Sequence, residues 1–180
     1  MKKSVALLVV ISLIAVLLTS CKRYNKIIYG RLSDPEWYDE FSMVVKGFEY
    51  WDDDAWEDRE YTPDITLEES DQLFIVVCCD SRETFIDFYG GIGDETTNEM
   101  INKDDIDLMV CNENNNVLIK NGFYEEINIG DTITVWATHF VYFDVTRIYM
   151  CGLKTQDKTY LEFDEGLSNI VKMMDEENQK

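Results

Sequence analysis

Leu73-Phe74-Ile75-Val76-Val77-Cys78-Cys79 is seven apolar residues in a row, with Asp71 before it and Asp80 after it. A run this short and this rich in β-branched residues reads as a strand rather than a buried helix. Lacking polar alternation, it must be covered on both faces. The chain therefore has to supply a neighbouring strand on each edge and a packed layer on each side.

The flanking sequence offers these partners. Ser33-Asp34-Pro35-Glu36 predicts a helix start, with a capping acid, a first-turn proline and acids near the positive end of the dipole. Trp37 and Phe41 at helical spacing carry that helix to about Phe41, and Ser42 to Trp51 continues as a strand. Thr84 to Tyr89 alternates and ends at the Gly90-Gly91 turn; Gly93 to Lys103 is polar, with one helical turn near Asn98–Ile101. A meander is expected next. Asp107–Cys111 is its first strand, Asn114-Asn115-Asn116 a turn, Val117–Lys120 its second strand, and Asn121-Gly122 a hairpin turn into Phe123–Ile127. Gly130-Asp131 turns the chain into the alternating strand Thr132–Trp136, a pattern common in small closed β-barrels, OB-like ones included. Val141–Asp144 and Arg147–Leu153 continue the strands. Thr155-Gln156-Asp157-Lys158 is a polar turn and Thr159–Phe163 the last strand. Asp164 caps a closing helix with Leu167, Ile170, Val171 and Met174 on one face. The expected fold is α+β: mainly antiparallel strands in a small barrel-like domain, OB-like barrels among the candidates, with a short early helix and a C-terminal helix.

The first 21 residues have a separate logic. Lys2 and Lys3 precede an uncharged apolar run from Val5 to Leu18, short for a membrane span, which needs about 20 apolar residues, and suited to the core of a signal peptide. Leu18-Thr19-Ser20-Cys21 resembles the lipobox of bacterial lipoproteins. The resemblance implies lipid on the Cys21 sulfur, cleavage after Ser20 and acylation of the new amino terminus. Each buried CH₂ contributes about 0.8 kcal/mol, and two or more chains make a stable anchor. The C-terminal third, from Gly130-Asp131-Thr132-Ile133-Thr134-Val135 through Lys158-Thr159-Tyr160 to Leu167, resembles small uncharacterised lipoproteins of anaerobic Gram-positive bacteria. That second resemblance implies a cell-envelope location and assigns no functional residue. The implied organisation is a signal peptide at 1–20, a lipidated tether and first strand at 21–32 (the strand near Lys26–Leu32), one globular domain at 33–175 and a frayed tail at 176–180.

Charge narrows the function classes. The chain carries 16 basic and 36 acidic residues, a formal net charge of −20. Lys22, Arg23, Lys26 and Arg31 precede the first acid, Asp34, and only ten basic residues lie beyond Leu32. Such a body repels phosphates, so nucleic acid is disfavoured as a partner. A basic collar next to lipid suits an anionic membrane surface, with the acidic body held off from it. The densest stretch, Glu49 to Asp71, holds eleven acids against Arg59 alone, with Tyr50, Trp51, Trp56 and Tyr61 interleaved. Three readings stand: a solvated loop with its aromatics on the core, a calcium site starting from Asp52 and Asp54, or a surface for a sugar or basic peptide. The EF-hand pattern fails, since Trp56 takes the fifth ligand position and Glu57 the glycine.

Export permits disulfides, and Cys78, Cys79, Cys111 and Cys151 allow three pairings. Each also lies in an apolar run, where a free thiol packs as a small hydrophobe. Cys78 and Cys79 are adjacent and point to opposite strand faces. A zinc site is disfavoured by the single histidine, His139, and the lack of CxxC spacing. No GxSxG elbow or phosphate loop is present, so no catalytic residue and no cofactor is assigned. The expected function is that of a membrane-anchored extracytoplasmic lipoprotein, a non-catalytic binding module for a protein or saccharide partner. The alternative is a small carboxylate-dependent envelope enzyme such as a cell-wall hydrolase.

Overall fold

The structure is a computed structural model that describes residues 32–79, 106–138 and 147–177. Several expectations lie outside the described residues: the anchor with Cys21, the strand near Lys26–Leu32 apart from Leu32, the stretch from Thr84 to Lys103, His139, Val141–Asp144 and the side chain of Cys79.

The elements in chain order are β1 (Tyr38–Asp52), β2 (Glu57–Glu60), β3 (Gln72–Cys79), β4 (Ile106–Val110), α1 (Asn112–Lys120), α2 (Phe123–Glu126), β5 (Thr132–Thr138), β6 (Arg147–Lys154), β7 (Thr159–Leu161) and α3 (Phe163–Glu177). Neighbouring strands run β2-β1-β3-β4-β6-β5, and β5 pairs back onto β1, closing a ring of five. β4 and β6 are parallel; every other neighbour in the ring is antiparallel. Taking β1, β3, β4, β5 and β6 as barrel strands one to five, the closed order is one-two-three-five-four, with helices between the third and fourth. That is the arrangement of an OB-like barrel. The doubly covered run is an interior strand, flanked by β1 and β4.

Strand alternation sorts the side chains. Phe41, Met43, Val45, Leu73, Ile75, Val77, Leu108, Val110, Ile133, Val135, Ala137, Ile148, Met150 and Leu153 fill the barrel. Two bulges correct the parity. Between Val45 and Gly47 the inward set of β1 passes from odd to even residues, so Phe48 and Tyr50 also face the core. A second irregularity between Trp136 and Ala137, opposite Gly152 and Met150, brings Leu153 inside. One end is plugged by Leu118 of α1 and Phe123 of α2, whose ring meets Phe48 and Tyr160 edge-to-face. The outer face of β3, β4 and β6 carries Phe74, Met109, Tyr149 and Cys151, sealed by Ile170 and Met174 of α3 with Leu32 and Tyr38.

Local chemistry explains five departures from the sequence reading. Asp34 does cap the early helix, accepting from the Glu36 amide at 3.0 Å, but only a 3-10 turn forms, Pro35–Trp37. β1 starts at Tyr38 rather than after Phe41, because Tyr38 and Phe41 alternate correctly for pairing with β5. The expected turn at Asn114-Asn115-Asn116 and the strand Val117–Lys120 are instead one helix, α1. Asparagine is a weak helix former because its amide competes for nearby backbone. Here the Asn114 amide is taken by distant partners: it donates to the Met150 and Gly166 carbonyls (3.4 and 3.3 Å) and accepts from Asn169 at 3.0 Å. Asn121-Gly122 closes that helix instead of a hairpin, and the expected strand Phe123–Ile127 is instead the short helix α2, Phe123–Glu126, followed by extended Ile127. Gly122, at φ 76°, donates to the Ile119 carbonyl at 3.0 Å, as a left-handed residue after a helix does. Finally, α3 begins at Phe163, so Asp164 lies in its first turn rather than before it, and the helix continues through Glu177.

Gly166 sets how closely α3 approaches the barrel. A Cβ there would stand 2.0 Å from the Cys151 carbonyl oxygen, whereas one on Gly47 would meet nothing within 4 Å. Gly166→Ala should therefore lower stability by about 1–3 kcal/mol through overpacking, and Gly47→Ala should stay within about 0.5 kcal/mol of the parent. Urea midpoints of the two variants check this; equal midpoints would mean that α3 does not seat on β6 as described.

Candidate functional site

The segment from Asp52 to Asp71, which joins β1 to β3, carries most of the dense acidic stretch. It is not a plain loop. β1 runs beyond the barrel and folds back as β2, with Glu49 opposite Glu60 and Asp52 opposite Glu57. Like charges directly across a ladder are destabilising. Arg59, the one basic residue of the stretch, sits where it relieves this, with Nε 2.8 Å from Asp52 Oδ2 and Nη2 3.1 Å from Glu57 Oε1. Exposed pairs of this kind contribute about 0–1 kcal/mol each. Asp52 Oδ1 also accepts from the Asp54 and Ala55 amides at 3.0 and 2.9 Å, and the Trp56 amide donates to the Asp52 carbonyl at 2.7 Å. The carboxylate that suggests a cation site in the sequence is thus engaged by its own turn and by Arg59, while Asp54 is exposed beside it. Among the described residues no cluster of three or more His, Cys, Asp or Glu side chains is arranged to hold a metal.

The aromatics of the stretch divide. Tyr50 and Trp51 are half-buried against the barrel. Tyr61 is buried: its amide donates to the Phe48 carbonyl at 2.9 Å, and its ring meets Tyr124 edge-on at 5.3 Å. Asn115 Nδ2 donates to the Tyr61 hydroxyl at 3.4 Å, and the Tyr124 hydroxyl donates to Asn115 Oδ1 at 2.7 Å. Burial pushes the Tyr124 phenol well above its ordinary range, and the neighbouring Tyr61 adds to this. This triad, buried at Tyr61 and Asn115 and half-buried at Tyr124, ties the segment to α1 and α2. Trp56 is the exception, 80% exposed at the hairpin tip.

Beyond Tyr61 the chain lies along α1 and encloses two clefts. One, of about 370 Å³, lies between Pro63–Leu67 and the Asn112, Asn115, Asn116 and Ile119 face of α1. The second, of about 230 Å³, is lined by Glu69, Asp71, Glu113 and Glu176, with Cys111 and Met173 at its base. Neither is visible in the sequence, because the asparagines that line the first have the composition of a turn.

Cys78, Cys111 and Cys151 are free thiols. Cys78 is half-buried on β3, opposite Val44; Cys79 stands at the end of β3, opposite Met43. Cys111 and Cys151 belong to the cluster under α3. Burial pushes the Cys111 thiol up to about 11, and raises Cys151 further. Thiols held neutral in this way are inert, so neither is a nucleophile at neutral pH. A further polar group ties β7 to α2. Lys158 Nζ meets Glu126 Oε1 and the Asn121 carbonyl, both at 2.7 Å, and the Tyr160 hydroxyl donates to Glu126 Oε2 at 2.7 Å. The hydrogen bonds from Lys158 and Tyr160 lower the Glu126 carboxyl, while burial, then Glu126, pushes Tyr160 up to about 12. Its members are engaged with one another, which makes it a clasp. No family model, curated protein or solved structure matches the chain.

The buried thiols give the fold an alkaline limit. Cys111 and Cys151 ordinarily titrate near 9.0, and burial raises both in the folded chain. Their contribution is complete below pH 9 and is lost as pH rises, because the unfolded chain ionises first. Cys111 alone should remove about 2 kcal/mol by pH 11. Urea midpoints should hold from pH 7 to 8.5 and fall above that. A flat profile to pH 10.5, or rapid reaction of Cys111 with a thiol reagent in the native protein at pH 8, would contradict this packing.

Proposed function

We propose that the chain is a lipid-anchored, extracytoplasmic, non-catalytic binding module. The anchoring half of the reading rests on Leu18-Thr19-Ser20-Cys21 after its charged and apolar lead, and on the bases between Lys22 and Arg31 that separate it from an acidic body. No described helix is long and apolar enough to cross a membrane. The binding half rests on one observation: the exposed indole of Trp56, presented on a hairpin that projects from a barrel whose interior is filled by its own side chains. Tryptophan is among the residues that contribute most at interfaces. A lipid tether at one end and a projecting hairpin within the domain make a unit that captures a partner beside the membrane.

Lipid attachment is tested in cells producing the full chain and grown with a radiolabelled fatty acid. The wild type should be labelled and processed, and added protease should digest it in intact cells or spheroplasts. Cys21→Ala should abolish labelling and accumulate precursor. Undiminished labelling of that variant would remove the anchor from this reading, and full protection from the protease would remove the extracytoplasmic site.

A further inference from the structure

Asn112, Asn115, Asn116 and Ile119 follow one another at helical spacing, so they share one face of α1. Together with Pro63–Leu67 they line the cleft of about 370 Å³, a volume within the ~300–1,000 Å³ typical of small-molecule sites. Among the described residues no basic side chain lines it, and its one acid, Asp64, accepts from the Thr62 hydroxyl. An anion meets no base there, on a chain of net charge −20, and a cation meets only a carboxylate already engaged. The cleft therefore suits a neutral ligand.

Asn115 is 5% exposed, yet it lines this cleft. A carboxamide can donate twice. One hydrogen goes to the Tyr61 hydroxyl at 3.4 Å, and the oxygen accepts from Tyr124. The second hydrogen has no acceptor among the described residues. A buried donor left unmet costs about 1–3 kcal/mol. Water meets that need in the free protein, and a ligand oxygen that replaces the water keeps the hydrogen bond. An amide carbonyl, a stronger acceptor than a hydroxyl, is the best replacement. Asn112 and Asn116 are exposed and add two more carboxamides, each able to donate and to accept. Ile119, 39% exposed, gives the cleft an apolar side together with Ile65 and Leu67.

We propose that this cleft binds a neutral sugar that carries an acetamido group. The acetamido carbonyl accepts from Asn115, its methyl group lies against Ile119, and the ring hydroxyls exchange hydrogen bonds with Asn112 and Asn116. A peptide unit offers the same amide. In an extended peptide, however, the groups on one side recur only about every 6.6 Å, so a compact cleft meets few of them. A sugar ring sets its donors and acceptors on adjacent carbons, which matches three carboxamides gathered on one helix face. The inference goes beyond the reading built on Trp56, since the hairpin precedes Tyr61 in the chain and the cleft is lined by residues after it.

The test titrates the full chain, in zwitterionic micelles that carry no sugar headgroup, and follows side-chain amide signals by NMR. The probes are the N-acetyl derivatives of glucosamine, galactosamine and mannosamine, the three parent hexoses, and a capped alanine tripeptide. At least one N-acetyl sugar should shift the Asn112, Asn115 and Asn116 amide signals saturably. It should bind about tenfold more tightly than its parent hexose, through one buried hydrogen bond and a methyl contact. Asn112→Ala and Asn116→Ala should each weaken it about fivefold, the loss of a hydrogen bond. Neither should lower the urea midpoint, because both positions are exposed and alanine is the better helix former. Saturation by none of the N-acetyl sugars, or unchanged affinity in both variants, would overturn the site. Equal affinity for the parent hexose would overturn the acetamido assignment, and tighter binding of the tripeptide would replace the sugar with a peptide. None of these results touches Trp56 or the labelling of Cys21, so failure here is distinct from failure of the binding-module or anchor reading.

Discussion

Seven residue pairs, Tyr38 with Thr138 through Val44 with Thr132, decide what this chain becomes. They join the first strand of the fold to one that begins almost a hundred residues later and convert an open twisted sheet into a ring. Without them β1 and β5 would each leave an open edge, and the apolar residues of the run through β3 would face solvent on one side. With them Met43, Val45, Leu73, Ile75, Ile133 and Val135 share one dry interior. Closure depends on β1 changing course. The bulge between Val45 and Gly47 lets its first half serve β5 and its second half serve β2, while β3 accompanies both.

The ring also fixes where the remaining elements can go. α1 and α2 plug one end, and α3 lies across the outer face of β3, β4 and β6. Asn114 joins these layers, holding the Met150 carbonyl of the barrel and the Gly166 carbonyl of α3 from within α1. Gly166 lets that helix sit directly on the Cys151 backbone, and Trp136 covers the space left by Gly152, its cross-strand partner. The chain between β1 and β3 is anchored at buried Tyr61, with Ile65 and Leu67 packed on the core beyond it. The residues before Tyr61 therefore project as a hairpin, and those after it lie along α1.

Much of this is legible in the residues. The run at Leu73–Cys79 demands an interior strand because nothing in it tolerates water. Gly130-Asp131 announces β5, since Gly130 adopts φ 98°, and the spacing of Ile170 and Met174 announces α3. The α1–α2 region is not legible, for a definite reason. Asn-Gly signals a left-handed residue, and a hairpin turn and a helix end both use one, so only the distant partners of Asn114 and Asn115 decide between them. β2 is hidden because acids are poor strand formers; it exists through pairing with β1 and the position of Arg59. At the candidate site, the acid-and-aromatic composition is visible, but which aromatic stays outside is not. Tyr61 and Trp56 look alike in sequence and differ only in whether Asn115 and Tyr124 are within reach. Closure cannot be read locally at all, because its two strands are so far apart in the chain.

The central claim is closure, and native-state hydrogen exchange tests it most directly. If the ring is shut, the paired amides of β1 and β5 have no route to water except global unfolding. Their exchange free energies should equal those of the β1–β3 ladder and the value from urea unfolding, while β2 amides exchange through local opening at much lower free energy. β1–β5 amides that exchange as readily as those of β2, with the β1–β3 ladder still protected, would mean that the sheet is open and the barrel does not exist in solution.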